Sequence, residues 1–270
     1  MGEPGRLSAH VMVDIRPPVA VVMLDRPAKR NALDMETVLA LGSFFGDPPD
    51  GVAAAVLTSS GPHFSAGLDL SELTETSVFE GVLHSRSWHR PFDAIQFGKI
   101  PVVSALCGAV IGGGLELALA THIRVAEPSA FYALPEGSRG IFVGGGASVR
   151  LPRLIGVHRM MDMMLTGRVL DATEGHDLGI SQYLATDGGG LDRAIELATR
   201  IAENSPVTNY AVLQALPRIA DMGAQEGLFV ESLMAAVSQG SDEAKALLRE
   251  FLAGRASKVA ATTTTPGATP

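Results

Sequence analysis

Three consecutive glycines, Gly112-Gly113-Gly114, leave an apolar run from Pro101 to Ile111 and enter the helix-forming stretch Leu115-Glu116-Leu117-Ala118-Leu119-Ala120. A chain that passes from strand to helix on glycine leaves the first N–H groups of the helix unpaired and uncovered, at the positive end of its dipole. Such a turn can hold an oxygen on which negative charge develops. Residue 116 lies three positions after Gly113, so on a helix its side chain projects from the same face as that backbone donor. Pro135-Glu136, twenty residues past Glu116, supplies a second carboxylate. Acid/base groups beside an electrophilic donor point to enzyme chemistry.

Around this turn, strands alternate with helices. Val11 to Ile15 and Val19 to Leu24 are β-branched runs on either side of Pro17-Pro18 and read as an antiparallel pair around a turn. Further strands are expected at Ala53 to Leu57, Val102 to Leu106, Ile123 to Ala126 and Phe131 to Leu134, with helices at Met35 to Phe45, Val78 to Phe97, Gly114 to Thr121 and Ser148 to Leu154. The alternation indicates a layered α/β core. From Leu191 the pattern is helix after helix: Leu191 to Asn204, Val207 to Ile219, Ala224 to Ser238 and Asp242 to Ala253. The expected organisation is an N-terminal extension over 1–9, a core over 10–190, a helical C-terminal region over 191–255 and a disordered, threonine-rich tail over 256–270.

Composition narrows the function classes. The 270 residues are 46% apolar and 19% charged, enough for a sizeable core without staples. A net charge of -8 argues against a general nucleic-acid or anionic-membrane surface, while leaving room for a local basic cluster on a phosphorylated ligand. The single cysteine, Cys107, sits in an apolar run and reads as a buried thiol. Met1 to Arg6 has no apolar signal core, and the uncharged stretch Ile100 to Leu115 is short and broken by glycines, so a soluble cytoplasmic protein is expected. His63, His84 and His89 lie too irregularly for a metal-ligand pattern, and no metal is expected.

Four segments, in this order, resemble the enoyl-CoA hydratase/isomerase (crotonase) superfamily: Arg26-Pro27-Ala28-Lys29-Arg30-Asn31-Ala32-Leu33, Phe64-Ser65-Ala66-Gly67-Leu68-Asp69-Leu70, Ile111 to Leu117, and Leu134-Pro135-Glu136. The resemblance spans about residues 10 to 255. It implies an α/β fold, a crotonase-like spiral of ββα units with a helical C-terminal region for trimerisation, assembled as a homotrimer or a dimer of trimers. It also implies an acyl-CoA thioester substrate and no separate cofactor, coenzyme A being carried as part of the substrate. In this likeness the backbone N–H groups of Ala66 and Gly113 form the oxyanion hole, and Glu116 and Glu136 hold one water between them. Ala28, Arg30, Gly67, Leu68 and Asp69 fall at substrate and coenzyme A positions. The activity implied is that of an enoyl-CoA hydratase, which adds water across the double bond of a 2-enoyl-CoA to give 3-hydroxyacyl-CoA through a stabilised enolate. Within the same likeness stand an isomerase, a hydratase-lyase and a catalytically silent acyl-CoA-binding subunit.

The residues give physical reasons of their own. Small side chains over Phe64 to Gly67 let backbone approach a ligand, and Gly113 has nothing to block an oxygen. Two carboxylates at close range do not both ionise readily, which divides acid from base. Arg26, Lys29 and Arg30 form the densest basic cluster near these motifs and read either as a phosphate site or as solvated surface. Asp69 is either a third acid or a cap on the turn that follows it. Trp88, Phe92 and Phe97 either line a pocket or pack the core. Gly137 to Gly146 departs from the family's usual apolar residues and proline, and Arg139 there argues against a simple straight-chain acyl group.

Overall fold

The computed structural model describes residues 5–72 and 77–255. In chain order the strands are β1 (Gly5–Ser8), β2 (Val11–Arg16), β3 (Val19–Leu24), β4 (Ala54–Ser59), β5 (Val102–Leu106), β6 (Ala109–Ile111), β7 (Ile123–Ala126), β8 (Phe131–Ala133), β9 (Leu170–Asp171) and β10 (Tyr183–Leu184). The helices are α1 (Met35–Gly46), α2 (Val78–Gln96), α3 (Gly113–Ala120), α4 (Ala147–Ile155), α5 (Val157–Thr166), α6 (Ala172–Asp177), α7 (Gly190–Ala202), α8 (Pro206–Ile219), α9 (Ala224–Gly240) and α10 (Asp242–Leu252). Seven strands form one sheet in the order β1-β2-β3-β4-β5-β7-β10; β6, β8 and β9 form a second, smaller one.

The hairpin around Pro17-Pro18 forms as expected, with Val13 opposite Val22, and from β3 onward the sheet is parallel. Its central strands are buried on both faces, so they show apolar runs rather than alternation. β4 illustrates the period of two. Ala55 and Leu57 enter the main core, whereas Ala54 and Val56 meet Ala194, Leu197 and Ala198 of α7 on the other face. α7 therefore closes the sheet, although the sequence pattern groups it with the C-terminal helices. Gly5–Ser8, expected as an extension, pairs with β2 as an edge strand.

The sequence shows Pro101 to Ile111 as one apolar run, but the chain splits it. β5 lies in the large sheet and β6 in the small one, with Gly108 at φ +50° making the bend between them. This crossing carries the chain to Gly112 and into α3 at the junction of the two sheets. Capping sets the helix starts: Asp34 accepts Thr37 N–H ahead of α1, and Ser77 with Glu80 forms a capping box at α2. α6 and the two-residue strands β9 and β10 are too short to show a period, and α5, although amphipathic with Met160 and Met163 buried, is not among the helices expected from the sequence. Among the described residues, no helix is long and apolar enough to cross a membrane. The tail over 256–270 lies outside the described residues.

Candidate active site

Two loops meet at the start of α3. Phe64 to Ser65 runs alongside β6, with Phe64 N–H donating to Cys107 O (2.7 Å), Ser65 N–H to Ala109 O (2.9 Å) and Ile111 N–H to Ser65 O (3.0 Å). Leu33 then clasps the next turn: its N–H donates to Gly67 O and its carbonyl accepts from Asp69 N–H, each at 2.8 Å. In such a bridge the neighbours of Leu68 face Leu33, and the N–H of Leu68 itself faces the other way. It lies close to Gly113, where an added Cβ would sit 3.2 Å from Leu68 N. The backbones touch here. A Cβ on Gly67, at φ +91°, would come within 2.7 Å of Ile111 O and 3.0 Å of Gly113 N.

The N–H groups of Leu68 and Gly113 have no acceptor among the described residues. The N–H of Ala66, expected to be an oxyanion donor, is instead spent on Arg30 O at 2.9 Å. This departs from the sequence reading: the N–H left without an acceptor beside Gly113 is that of Leu68, two residues on, because Ala66 faces the Arg30 turn. Asn31 and Ser65, which the motif reading left without a role, hold this arrangement. Asn31, buried and at φ +53°, accepts from Arg26 N–H and donates to the carbonyls of Ser60 and His63, each at 2.8 Å. Ser65 Oγ donates to Asn31 O (2.7 Å) and accepts from Gly67 N–H (3.1 Å).

Glu116 stands in α3, whose residues are all buried. Its Oε1 accepts Gly145 N–H at 2.8 Å and Ala147 N–H at 3.0 Å. Gly145 leaves no room for a side chain, since a Cβ there would lie 2.9 Å from Glu116 Oε2 and 3.0 Å from Phe92 Cε2. Burial raises the pKa of Glu116, with the backbone donors at Ala147 and Gly145 acting against it. Glu136 is also buried, on a short 3-10 turn, Pro135–Arg139, and its Oε2 has no hydrogen-bond partner among the described residues. Its pKa is raised first by burial and further by the charge of Glu116, while Arg139 pulls it down. The two glutamates thus interact beside Gly112, whose φ of +52° brings its α-carbon against Glu136.

The other candidates sort by their contacts. Asp69 is buried and fully engaged: Oδ1 accepts Ser71 N–H (3.1 Å) and Oγ–H (2.7 Å), and Oδ2 meets Arg26 (2.8 Å) and Lys29 (3.0 Å). These partners, Ser71 and Lys29 foremost, hold its carboxyl well below the usual carboxylate range. It caps the turn and ties the two loops. Arg26 is likewise consumed by Asp69 and Asp34. Ala28 and Arg30 lie on an exposed 3-10 turn, and Arg30 forms no ion pair among the described residues. Trp88 and Phe92 are buried and stack edge to face at 5.6 Å, with Trp88 set against Gly113. Phe97 is elsewhere, under the Arg218 guanidinium at 4.4 Å. Arg139 is exposed rather than set in a closed pocket. A cavity of about 760 Å³ between α2, α4 and α8 includes neither glutamate. Burial raises the pKa of the Cys107 thiol, the opposite of what a nucleophile needs. Among the described residues, no group of three or more histidines, cysteines or acids could hold a metal.

With this geometry in hand, the likeness to known proteins is specific. The sequence profile of the family described as enoyl-CoA hydratase/isomerase matches residues 14–258. The chain is 31% identical over 251 residues to enoyl-CoA hydratase EchA19 of Mycobacterium tuberculosis (strain H37Rv), covering 91% of this chain and 94% of that one. A crystal structure from Rhodopseudomonas palustris CGA009, of a protein provisionally described as an enoyl-CoA hydratase, is 59% identical with a TM-score of 0.89, covering 92% of this chain and 96% of that one. The enoyl-CoA hydratase of Bacillus anthracis is 27% identical with a TM-score of 0.85, covering 91% and 97%. The two sheets, the spiral of strand and helix, and the C-terminal helices are those of this fold.

Proposed function

This chain belongs to the enoyl-CoA hydratase/isomerase family, and we propose that it acts as an enoyl-CoA hydratase, adding water across the double bond of a 2-enoyl-CoA to give a 3-hydroxyacyl-CoA. The observation that carries the reading is the meeting of two uncommitted backbone donors, Leu68 N–H and Gly113 N–H, with two buried glutamates, Glu116 and Glu136. The thioester oxygen sits between the donors. As the enolate forms, charge moves onto that oxygen, and each preorganised N–H lowers the barrier by about 3 kcal/mol.

The surroundings divide the acid from the base. Glu116 Oε1 accepts two N–H groups, which favour the carboxylate against its burial; burial and the charge of Glu116 both raise the pKa of Glu136, which favours the acid. Glu116 takes a proton from water as the hydroxyl bonds to C3, the double-bond electrons move toward the thioester, and Glu136 delivers its proton to C2. Proton exchange between the two acids and solvent resets them. The chemistry needs no metal and no separate cofactor, because coenzyme A arrives with the substrate.

The exposed turn carrying Ala28 and Arg30 joins the oxyanion loop through the Ala66 bond to Arg30 O, so it is the part of this reading that meets the coenzyme A phosphates. Exposed Leu228, Phe229 and Leu233 on α9, with Phe251 and Leu252 at α10, leave apolar surface for further copies of the chain to cover, which supports assembly; the order proposed from the family likeness is a homotrimer or a dimer of trimers, and the proposed compartment is the cytoplasm.

Incubating the pure protein with crotonyl-CoA and with longer or aryl enoyl-CoA esters, while following loss of the conjugated thioester absorbance, tests the activity. Product mass identifies a hydroxyacyl ester as hydration, an unchanged mass with a moved double bond as isomerisation, and an aldehyde as cleavage. Binding of every ester with turnover of none sinks the hydratase reading.

A further inference from the structure

Arg150, the fourth residue of α4, has a side chain only 9% exposed and spends its guanidinium around the site rather than on solvent. Nη1 donates to Gly145 O at 2.9 Å, Nε to Gln96 Oε1 at 2.7 Å and Nη2 to Asp93 Oδ1 at 3.0 Å. Gly145 is the residue whose N–H grips Glu116, so a single residue is held at its carbonyl by Arg150 and holds the carboxylate with its amide. The turn is tight as well: a Cβ on Gly146 would collide with the Arg150 guanidinium.

We propose that Arg150 is a positioning residue for the general base: it fixes Gly145 so that two backbone donors stay aimed at Glu116, and it supplies the positive charge that keeps that carboxylate ionised next to Glu136. The inference rests on the hydratase reading. Every charged group packed near Glu116 bears on it. The Pro135–Arg139 turn brings Glu136, whose charge opposes ionisation, and Arg139, which acts on Glu136. α2 brings Asp93, engaged with Arg150, and His89, whose Nε2 meets Gly144 O at 2.9 Å. The Arg26, Lys29 and Asp69 cluster is closed on itself. Arg150, through Gly145, is a cation whose charge favours the ionised form of Glu116. Arginine suits this task because its planar fork holds its acceptors in a fixed geometry, whereas lysine offers its donors from one rotatable nitrogen on a flexible stem.

The test is the pH profile of kcat/KM for crotonyl-CoA hydration by Arg150→Gln, Arg150→Lys and Asp93→Asn. Loss of the charge in Arg150→Gln raises the pKa of the base, so the acid limb moves up by about one pH unit and activity recovers in alkali. Arg150→Lys keeps the charge, moves the limb less and loses kcat through a looser Gly145 turn. Asp93→Asn removes the negative partner and moves the limb the other way. A uniform fall in kcat/KM at all pH values, with lysine as damaging as glutamine, overturns the proposal. Should both Arg150 variants fail to fold, an unmoved limb in Asp93→Asn overturns it instead. A wild-type protein that hydrates no ester removes the reading beneath, a result distinct from an unshifted profile in a working enzyme.

Discussion

Gly112 leaves no space beside Glu136: a Cβ on Gly112 would sit 2.6 Å from the carboxylate Oε1. Its backbone also sits at φ +52° and ψ -122°, a conformation open to glycine and unfavourable for a residue with a side chain. The turn that frees the Gly113 donor and the position of the acid are therefore one constraint. Gly112→Ala is expected to lower both stability and kcat, with Glu136 pushed off its place. Thermal denaturation and steady-state kinetics on the same sample check this; a variant with wild-type kcat would contradict it.

Glu116→Gln and Glu136→Gln are expected to cut hydration by about 100- to 10,000-fold each while leaving ester binding nearly intact. The amide keeps the size of the side chain and, at position 116, an oxygen for both backbone donors, so the loss is chemical rather than structural. Turnover assays beside calorimetric titration with a 3-hydroxyacyl-CoA separate the two effects.

Glu136 also predicts a pH-dependent stability. Its folded pKa is raised above the ordinary 4.5, chiefly by burial, so the folded state binds the proton more tightly than the unfolded state. Stability contributed by the neutral acid is present below 4.5 and is lost as pH rises through the folded pKa. Glu136→Gln, which cannot ionise, is expected to melt above wild type once pH exceeds that window and to match it below. Equal melting temperatures across the whole range would mean that the carboxyl is not desolvated.

Leu68 and Ala66 are separable by changing the backbone alone. Replacing the amide nitrogen of Leu68 by an ester oxygen removes the donor and is expected to cost kcat about 100- to 1,000-fold with little loss of stability. The same change at Ala66 deletes the bond to Arg30 O and is expected to lower the melting temperature instead. Interchanged outcomes would return the donor to Ala66.

Asn31 ties three strands of loop through its amide and sits at φ +53°. Asn31→Ala leaves buried backbone groups unpaired and strains the left-handed position, at a cost of about 2–4 kcal/mol. Urea unfolding measures it. A raised KM for enoyl-CoA esters is expected alongside, since the same loop carries Arg30 and presses on Ser65.

The glycine turn and Glu116 were legible in the sequence because their signals are local, whereas Glu136, a carboxylate after a proline, joined them only through the family resemblance. Gly112 to Gly114 mark a strand-to-helix turn, Glu116 follows at a spacing that helical geometry fixes, and the hairpin and parallel strands announce themselves as β-branched runs. Arg26, Lys29 and Asp69 could be noticed but not assigned, because whether a charge meets a phosphate or a neighbouring carboxylate depends on which loops pack together. The same holds for the proposed oxyanion donors. Ala66 and Leu68 are equally small steps from Gly67 along the chain; only the bridge to Leu33 and the bond to Arg30 decide which N–H faces Gly113. The partners of Glu116 come from Gly145 and Ala147, and the charge of Arg150 acts on it from α4, across some thirty residues of sequence. Periodicity and turn chemistry act within a few residues and survive in one dimension, whereas the direction of a backbone amide and the field at a buried acid are properties of contacts that exist only after the two sheets and their helices have packed.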